Sequence, residues 1–363
     1  MTPELTFLIG FLIFIGLLLA FDLGLLTKKS EIISIKQAGI MSFVVVALAM
    51  VFYFFLLTYG NLIHGIHTLD KLQSVILKNH HPIVIIPNDL PHSLDLYNQN
   101  LGLEFLTGYV VEYALSIDNI FVIMLIFTSF NVKQKNYHRV LFWGILGAIV
   151  MRFSFIFLGS ALITKFDWIL YVFGAFLVLT GIKMFIDRNK EETMDTEHHP
   201  IVKFANKYFK VHNHFVGDKF WVLIDGIWKI TPLLLVLVII EFTDLIFAVD
   251  SIPAIFSVTK DPYIVFFSNI FAIIGLRSMF FLLANVIDKL RYLKIGLAVL
   301  LTFIGLKMIL HTQMDEWGFK TTHSLLIIIL ILGTSIAASL AFPLKTKDRK
   351  LKYDANRDED LRH

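Results

Sequence analysis

Glu112-Tyr-Ala-Leu-Ser-Ile-Asp118-Asn119-Ile and Asp244-Leu-Ile-Phe-Ala-Val-Asp250-Ser251-Ile are two versions of one pattern: an acid, five residues, an aspartate, a small polar residue and an isoleucine. Both lie deep in apolar runs, and Asp118 and Asp250 are 132 positions apart. Two more matches follow in the same order. Arg152, after Met151, corresponds to Arg277, after Leu276, at an offset of 125. Gly181-Ile-Lys183-Met184 corresponds to Gly305-Leu-Lys307-Met308, at an offset of 124. Three matches at nearly one offset predict two duplicated three-helix units. Three spans return the chain to the other side of a membrane, so the second copy inserts upside down. Inverted repeats with a site near the midplane are a transporter signature.

The composition agrees with a membrane setting. Of 363 residues, 56% are hydrophobic and 17% charged, against about 45–50% and 25% in soluble domains. That balance excludes a soluble enzyme, a disordered chain and a nucleic-acid binder. The formal net charge of +3 selects no partner, and the absence of cysteine removes disulfides and thiolate metal sites. Nine apolar runs are long enough, or nearly so, for a hydrocarbon core that needs roughly 20 helical residues. They cover about 5–26, 38–58, 101–130, 140–161, 166–186, 231–258, 263–287, 295–310 and 323–343, the eighth being short. The expected fold is an all-α polytopic membrane protein with about nine transmembrane helices, two sets of three forming inverted repeats. The first run lacks a basic n-region and a small-residue cleavage site, so it reads as a retained helix.

The segments divide as follows: 1–58 as a two-helix N-terminal part, 59–100 as an extracytoplasmic insertion, 101–186 as the first repeat and 187–230 as a cytoplasmic loop. The second repeat is 231–310, the final span falls within 311–343, and 344–363 is a basic tail. Orientation follows from the basic residues, 23 of which fall in one set of loops and 5 in the other. Cytoplasmic loops carry the excess, so the N-terminus is expected outside and the C-terminus in the cytoplasm of a bacterial inner (plasma) membrane. The outer insertion holds His64, His67, His80, His81 and His92. They could form a metal funnel, but a solvated loop that happens to be histidine-rich is the favoured reading. His198, His199, His212 and His214 read as ordinary loop residues. Phe220 to Ile230, with Asp225-Gly226 between two apolar runs, predicts a β-hairpin with a type I′ turn that caps the cytoplasmic face.

The charges inside the spans carry the chemistry. Glu112, Asp118, Glu241, Asp244 and Asp250 sit within apolar runs and Asp22 near the end of the first. Each central charge costs about 2.5–3.5 kcal/mol on insertion scales, so such residues face a cavity or a partner. Arg152 and Arg277 are expected to compensate some of these acids. Six acids against two arginines leave a surplus that a divalent cation and protons could balance. Acids six apart point about 240° apart around a straight helix and converge on one ligand only if the helix breaks. Pro253 supplies a candidate break, because it cannot bond the Val249 carbonyl. Ser116 and Asn119 could loosen the other copy. The expectation is one cavity lined by Glu112, Asp118, Asp244 and Asp250, with Asn119, Ser251 and the Val249 carbonyl as further ligands. Oxygen-only donors favour Mn²⁺, Ca²⁺ or Mg²⁺, and the sequence does not choose among them. No His-Glu-x-x-His motif is present, so no intramembrane metalloprotease, and no enzyme, is expected.

The same residues resemble a known family. Glu112 through Val122, and Thr231-Pro-Leu through Glu241-Phe-Thr-Asp-Leu-Ile-Phe-Ala-Val-Asp-Ser-Ile-Pro to Ser268-Asn-Ile-Phe-Ala-Ile-Ile-Gly-Leu-Arg277, resemble the TerC family of integral membrane proteins, its Alx branch in particular. The similarity runs from about 103 to 310, and more loosely over Phe21-Asp22-Leu23. The resemblance implies a relation to small-solute exporters of the lysine-exporter type. It also implies efflux of Mn²⁺ from the cytoplasm. The donor chemistry leaves Ca²⁺ as the alternative cargo, the mutual repulsion of the clustered acids makes protons the expected exchanged ion, and no permanently bound cofactor is expected. The family's association with tellurium resistance, and the link of eukaryotic relatives to thylakoid assembly, keep a non-transport assembly or stress-resistance role as the alternative. The expected partners are the divalent ion, protons and the bilayer. No oligomeric state follows.

Overall fold

A computed structural model describes residues 2–26, 35–166, 168–187, 211–212, 214–224, 226–283 and 292–342. The helices are α1 (Pro3–Leu26), α2 (Ile35–Tyr59), α3 (Leu69–Asn79), α4 (Leu90–Ser129), α5 (Gln134–Lys165) and α6 (Trp168–Asp187). After the strands β1 (Trp221–Ile224) and β2 (Ile227–Ile230) come α7 (Pro232–Phe256), α8 (Pro262–Leu283), α9 (Leu293–Ile309), the short α10 (His311–Glu316) and α11 (Thr321–Ala341). The chain is an all-α polytopic membrane protein. Among the described residues, eight helices are long and apolar enough to cross a bilayer. The ninth candidate, α9, has 17 residues and rises about 26 Å, short of a bilayer core of about 30 Å.

Leu17, Phe43, Leu179 and Leu330 are all more than 60% exposed on helix flanks. Such apolar faces are unstable in water and at home against lipid tails. By contrast α8 is buried along almost its whole length. It lies against α2, α4 and α5, while α7 lies against α4 and α5. The first helix of each expected unit thus packs on the second helix of the other: α4 on α8, and α5 on α7. The third helices, α6 and α9, pack closely on each other. Glycine makes that crossing possible. A Cβ on Gly174 would lie 2.9 Å from the Gly305 carbonyl oxygen, and one on Gly181 would lie 2.7 Å from that of Ala298. Under the 124-residue offset, Gly174 corresponds to Ala298 and Gly181 to Gly305, so each contact becomes the other when the units are exchanged.

The two strands pair as an antiparallel hairpin, with Trp221 opposite Ile230 and Ile224 opposite Ile227. Gly226 has φ +71°; Asp225 lies outside the described residues, as do His198, His199 and the basic tail. The Thr231 hydroxyl donates to the Lys219 carbonyl at 2.7 Å, and Pro232 opens α7 directly behind it.

Three expectations need correction. The insertion 59–100 is not a solvated loop. It holds α3 and the first turns of α4, a 40-residue helix about 60 Å long. Asp89 caps that helix by accepting from the His92 N–H at 3.1 Å. Nor are its histidines uniformly solvated: His67, His80 and His92 are exposed, but His64 and His81 are about 5% exposed, held by buried carboxylates. Finally, Pro253 does not break its helix. It sits in the last turn of α7, so the bond it cannot make to the Val249 carbonyl falls only one turn before the helix ends and leaves the helix continuous up to that point. The other copy, α4, is also unbroken past Ser116 and Asn119.

Candidate functional site

Because both helices stay intact, the two acids of each motif point to different sides. One side faces α5 and α8. There Arg152 of α5, fully buried, donates Nη2–H to Asp244 Oδ1 at 2.9 Å and Nε–H to Asp244 Oδ2 at 3.3 Å. Its Nη1 bonds Glu112 and also reaches Asn269 Oδ1 at 3.1 Å. Glu112 is fully buried as well. One guanidinium thus holds the first acid of both motifs, one from α4 and one from α7. The arrangement leaves polar capacity unused: Glu112 Oε2, Asn269 Nδ2 and Ser116 Oγ are buried without a hydrogen-bond partner. Ser251 faces Glu112 but falls outside hydrogen-bonding geometry.

The other side faces α6 and α9. Asp118 and Asn119 from α4, and Asp250 and Ser251 from α7, line one cavity of about 220 Å³. The third helices complete it with Thr180 and Lys183 of α6 and Leu297 and Leu301 of α9. Thr180 Oγ1 donates to Asp250 Oδ1 at 3.4 Å. Asp187, the last residue of α6, and Lys294, near the start of α9, lie at one end of the lining. The Lys294 ammonium stands 4.4 Å over the Phe121 ring.

The structure therefore brings together Asp118, Asn119, Asp250 and Ser251, and separately Glu112, Asp244 and Arg152. It does not gather all four acids in one cavity; the reason is the uninterrupted helix and its six-residue spacing. Glu241 joins neither group and lies over Gly147 of α5, where an added Cβ would fall 2.2 Å from its carboxylate. Arg277 is buried on α8 within electrostatic reach of His138. The side chain of Asp22 lies outside the described residues. Val249 is not among the residues that line the cavity, so its carbonyl is not brought to Asp118 and Asp250. Among the described residues no set of three or more histidine and carboxylate side chains is arranged to hold a metal ion as it stands. A cation entering the cavity meets two carboxylates, an amide and two hydroxyls, with room to keep part of its water.

Sequence reading missed Asn269, Thr180 and Lys294. Asn269 was visible as a polar residue inside the eighth helix, within the quoted Ser268-Asn269 pair. Lys183 was visible in the repeated Gly-x-Lys-Met, but nothing in the sequence said which cavity it would meet.

Known proteins are similar to this chain in sequence. The model of the integral membrane protein TerC family matches residues 97–348, a span that contains Glu112, Asp118, Arg152, Glu241, Asp244, Asp250 and Arg277. An "Uncharacterized membrane protein STKORF319" of Myxococcus xanthus is 40% identical over 331 residues, 91% of each chain. A protein of Salmonella typhi named "Putative membrane-bound redox modulator Alx" is 44% identical over 69% of this chain and 76% of its own. Its namesake in Escherichia coli (strain K12) is 49% identical over 58% of this chain and 64% of its own. No solved structure matches. The chain belongs to the TerC family of integral membrane proteins.

Proposed function

We propose that this protein exports a divalent metal cation, Mn²⁺ foremost, from the cytoplasm through the cavity between Asp118 and Asp250, in exchange for protons. One observation carries the reading: two aspartates at the same place in two copies of one motif, on different helices, line a single cavity whose charged and polar donors are oxygen and nitrogen, with the thioether of Met184 as its one sulfur among the described residues. Carboxylate, amide and hydroxyl oxygens suit hard cations. Ca²⁺ shares that preference and is the rival cargo. The exchange of packing partners between the α4–α6 and α7–α9 units supports their treatment as inverted repeats that rock about the cavity.

The chain's own residues suggest how passage is controlled. Arg152 already occupies the place of a counter-cation between Glu112 and Asp244. An arriving divalent ion competes with that guanidinium for the two acids, and Ser251, shared by both sides, lies where the compartments adjoin. When the cation departs, protons on Asp118 and Asp250 replace its charge, and Arg152 closes again on the other pair. The relatives' name speaks of redox modulation; with no cysteine in this chain, a thiol couple of its own is not the route. The test is flux: purified protein in liposomes containing a Mn²⁺-sensitive dye. The reading predicts dye quenching that accelerates under an imposed pH gradient at clamped membrane potential. Quenching no faster than in empty liposomes overturns it.

A further inference from the structure

A second polar cluster lies away from the cavity and takes no part in the mechanism above. Its centre is Asp261, fully buried in the connection between α7 and α8. His64 Nε2 lies 2.8 Å from Asp261 Oδ2, and His81 Nε2 lies 3.7 Å from the same oxygen. On its other side His81 Nδ1 lies 3.0 Å from Glu104 Oε1 of α4. Glu104 is further held by Asn100 Nδ2 at 2.6 Å and by the hydroxyl of Thr259, which donates to Oε2 at 2.6 Å.

Two features of position matter. Glu104 precedes Asp118 by 14 residues on one continuous helix, about 21 Å along its axis. At the same distant end, Lys307, near the end of α9, donates to the Ser257 carbonyl at 2.7 Å, whereas Lys294, at the start of α9, lines the cavity. The cluster therefore sits on the face opposite the Lys294 end. It also ties one three-helix unit to the other: Glu104 belongs to α4, while Thr259 and Asp261 follow α7.

The charges require a proton. Three acids meet here, Glu104, Asp261 and Glu4 of α1, the last 3.8 Å from His64 Nδ1 and 3.6 Å from Lys71 Nζ. Three bases face them: Lys71, His64 and His81. Tyr97 and Tyr263 are the remaining titratable side chains against the two rings. Among the described residues the ion-pair partners of the buried Glu104 and Asp261 are histidines, and a buried carboxylate without a counter-charge is costly. Each nitrogen of His81 faces a carboxylate. A neutral ring would turn a lone pair toward one of them; an imidazolium offers a proton to both. His81 Nε2 and Tyr97 Oη are buried without a hydrogen-bond partner, so the cluster holds unused polar capacity around that ring.

We propose that His81 is a proton-binding site that bridges Glu104 and Asp261 and thereby holds the two units shut on the face opposite the cavity; this rests on the reading that the units move against each other. The His81 ring agrees: burial alone would lower its pKa, but the Glu104 and Asp261 carboxylates raise it to about 10.

The chain has no cysteine, so one introduced thiol reports alone. Ser268 is fully buried on α8, and the site of a Cβ on Gly108 of α4 lies 2.9 Å from its hydroxyl. It therefore sits at the unit interface beneath the cluster. With Ser268→Cys in nanodiscs, without metal, modification by a charged methanethiosulfonate at pH 7 is expected to be slow. Adding His81→Gln is expected to raise the rate about tenfold, because two buried carboxylates lose their bridge. Adding Glu104→Gln to His81→Gln removes the excess charge and is expected to return the rate to within about twofold of the start. No acceleration by His81→Gln, or acceleration that Glu104→Gln leaves in place, overturns the proposal. The single-thiol protein gives a second reading. Its rate, relative to the same thiol in the His81→Gln protein at each pH, should climb between pH 7 and 10.5 as His81 gives up its proton; a flat ratio overturns the proposal. Because no Mn²⁺ is present, these results stand or fall separately from the flux result: a responsive thiol with no flux removes export and keeps the gate, and the reverse keeps export alone.

Discussion

Asp118 of α4 and Asp250 of α7 line the same cavity, although each lies six residues beyond an acid that Arg152 holds on the other side of its helix. Two intact helices thus present two acids each, one toward α5 and α8, the other toward α6 and α9. The spacing that prevents four carboxylates from meeting is the same spacing that creates two adjoining compartments.

Replacing Asp250 by Asn keeps the size and the Thr180 contact but removes the charge. Mn²⁺ flux is expected to fall at least tenfold, while the thermal midpoint in detergent stays near that of the native protein. A variant with normal flux would place the cation elsewhere.

Arg152→Met leaves Glu112 and Asp244 without their shared guanidinium. Removing one partner of a buried ion pair costs about 3–5 kcal/mol, so this variant should be strongly destabilised. Glu112→Gln added to it should recover part of the loss, since less charge is then stranded. Denaturation of the three proteins under one set of conditions checks the order.

Gly305 meets α6 backbone to backbone, with its added Cβ only 2.6 Å from the Gly174 carbonyl oxygen. Neither partner is the flexible end of a side chain, so Gly305→Val must push the helices apart. Overpacking of this kind costs about 1–3 kcal/mol. Gly333→Val, where nothing lies within 4 Å, should be nearly neutral in the same melting experiment.

Much of this arrangement was legible in the sequence, and the reasons are physical. The membrane class followed from long apolar blocks, and the hairpin from the two-residue turn between apolar runs. The motif residues were found because charge inside an apolar helix is expensive. What the sequence did not give was which side each acid would face, since that depends on whether α7 breaks at Pro253. The buried pair His64 and His81 was misread as solvated because its partners, Glu104 and Asp261, are 23 and 197 positions away from their respective histidines. Such pairing at a distance leaves no local pattern.

The His81–Asp261 cluster also makes stability depend on pH. His81 is raised from 6.5 to about 10 in the folded protein, so its contribution is complete below about pH 6.5 and is lost as pH rises through about 10. For Asp261, burial acts to raise the pKa, but the facing His64 and His81 hold it well below its usual 3.8. Its contribution is present above that value and fades as pH falls below it. The melting temperature of the native protein should therefore decline from about pH 6.5 toward 10. In His81→Gln that alkaline decline should be shallower. Parallel curves for the two proteins would contradict this assignment.

The hard-donor reading carries over to selectivity. With no thiolate to offer, the cavity should favour Mn²⁺ over Cd²⁺, so cells producing the protein should gain tolerance to Mn²⁺ and little to Cd²⁺. Equal protection against both metals would overturn the assignment of oxygen donors.

The most direct measurement is an anomalous-scattering structure of the protein grown with Mn²⁺. The account predicts a manganese peak in the cavity, about 2–2.6 Å from carboxylate oxygens of Asp118 and Asp250, and its disappearance in Asp250→Asn. A peak among His64, His81 and Asp261, with the Asp118–Asp250 cavity left without metal, would contradict it.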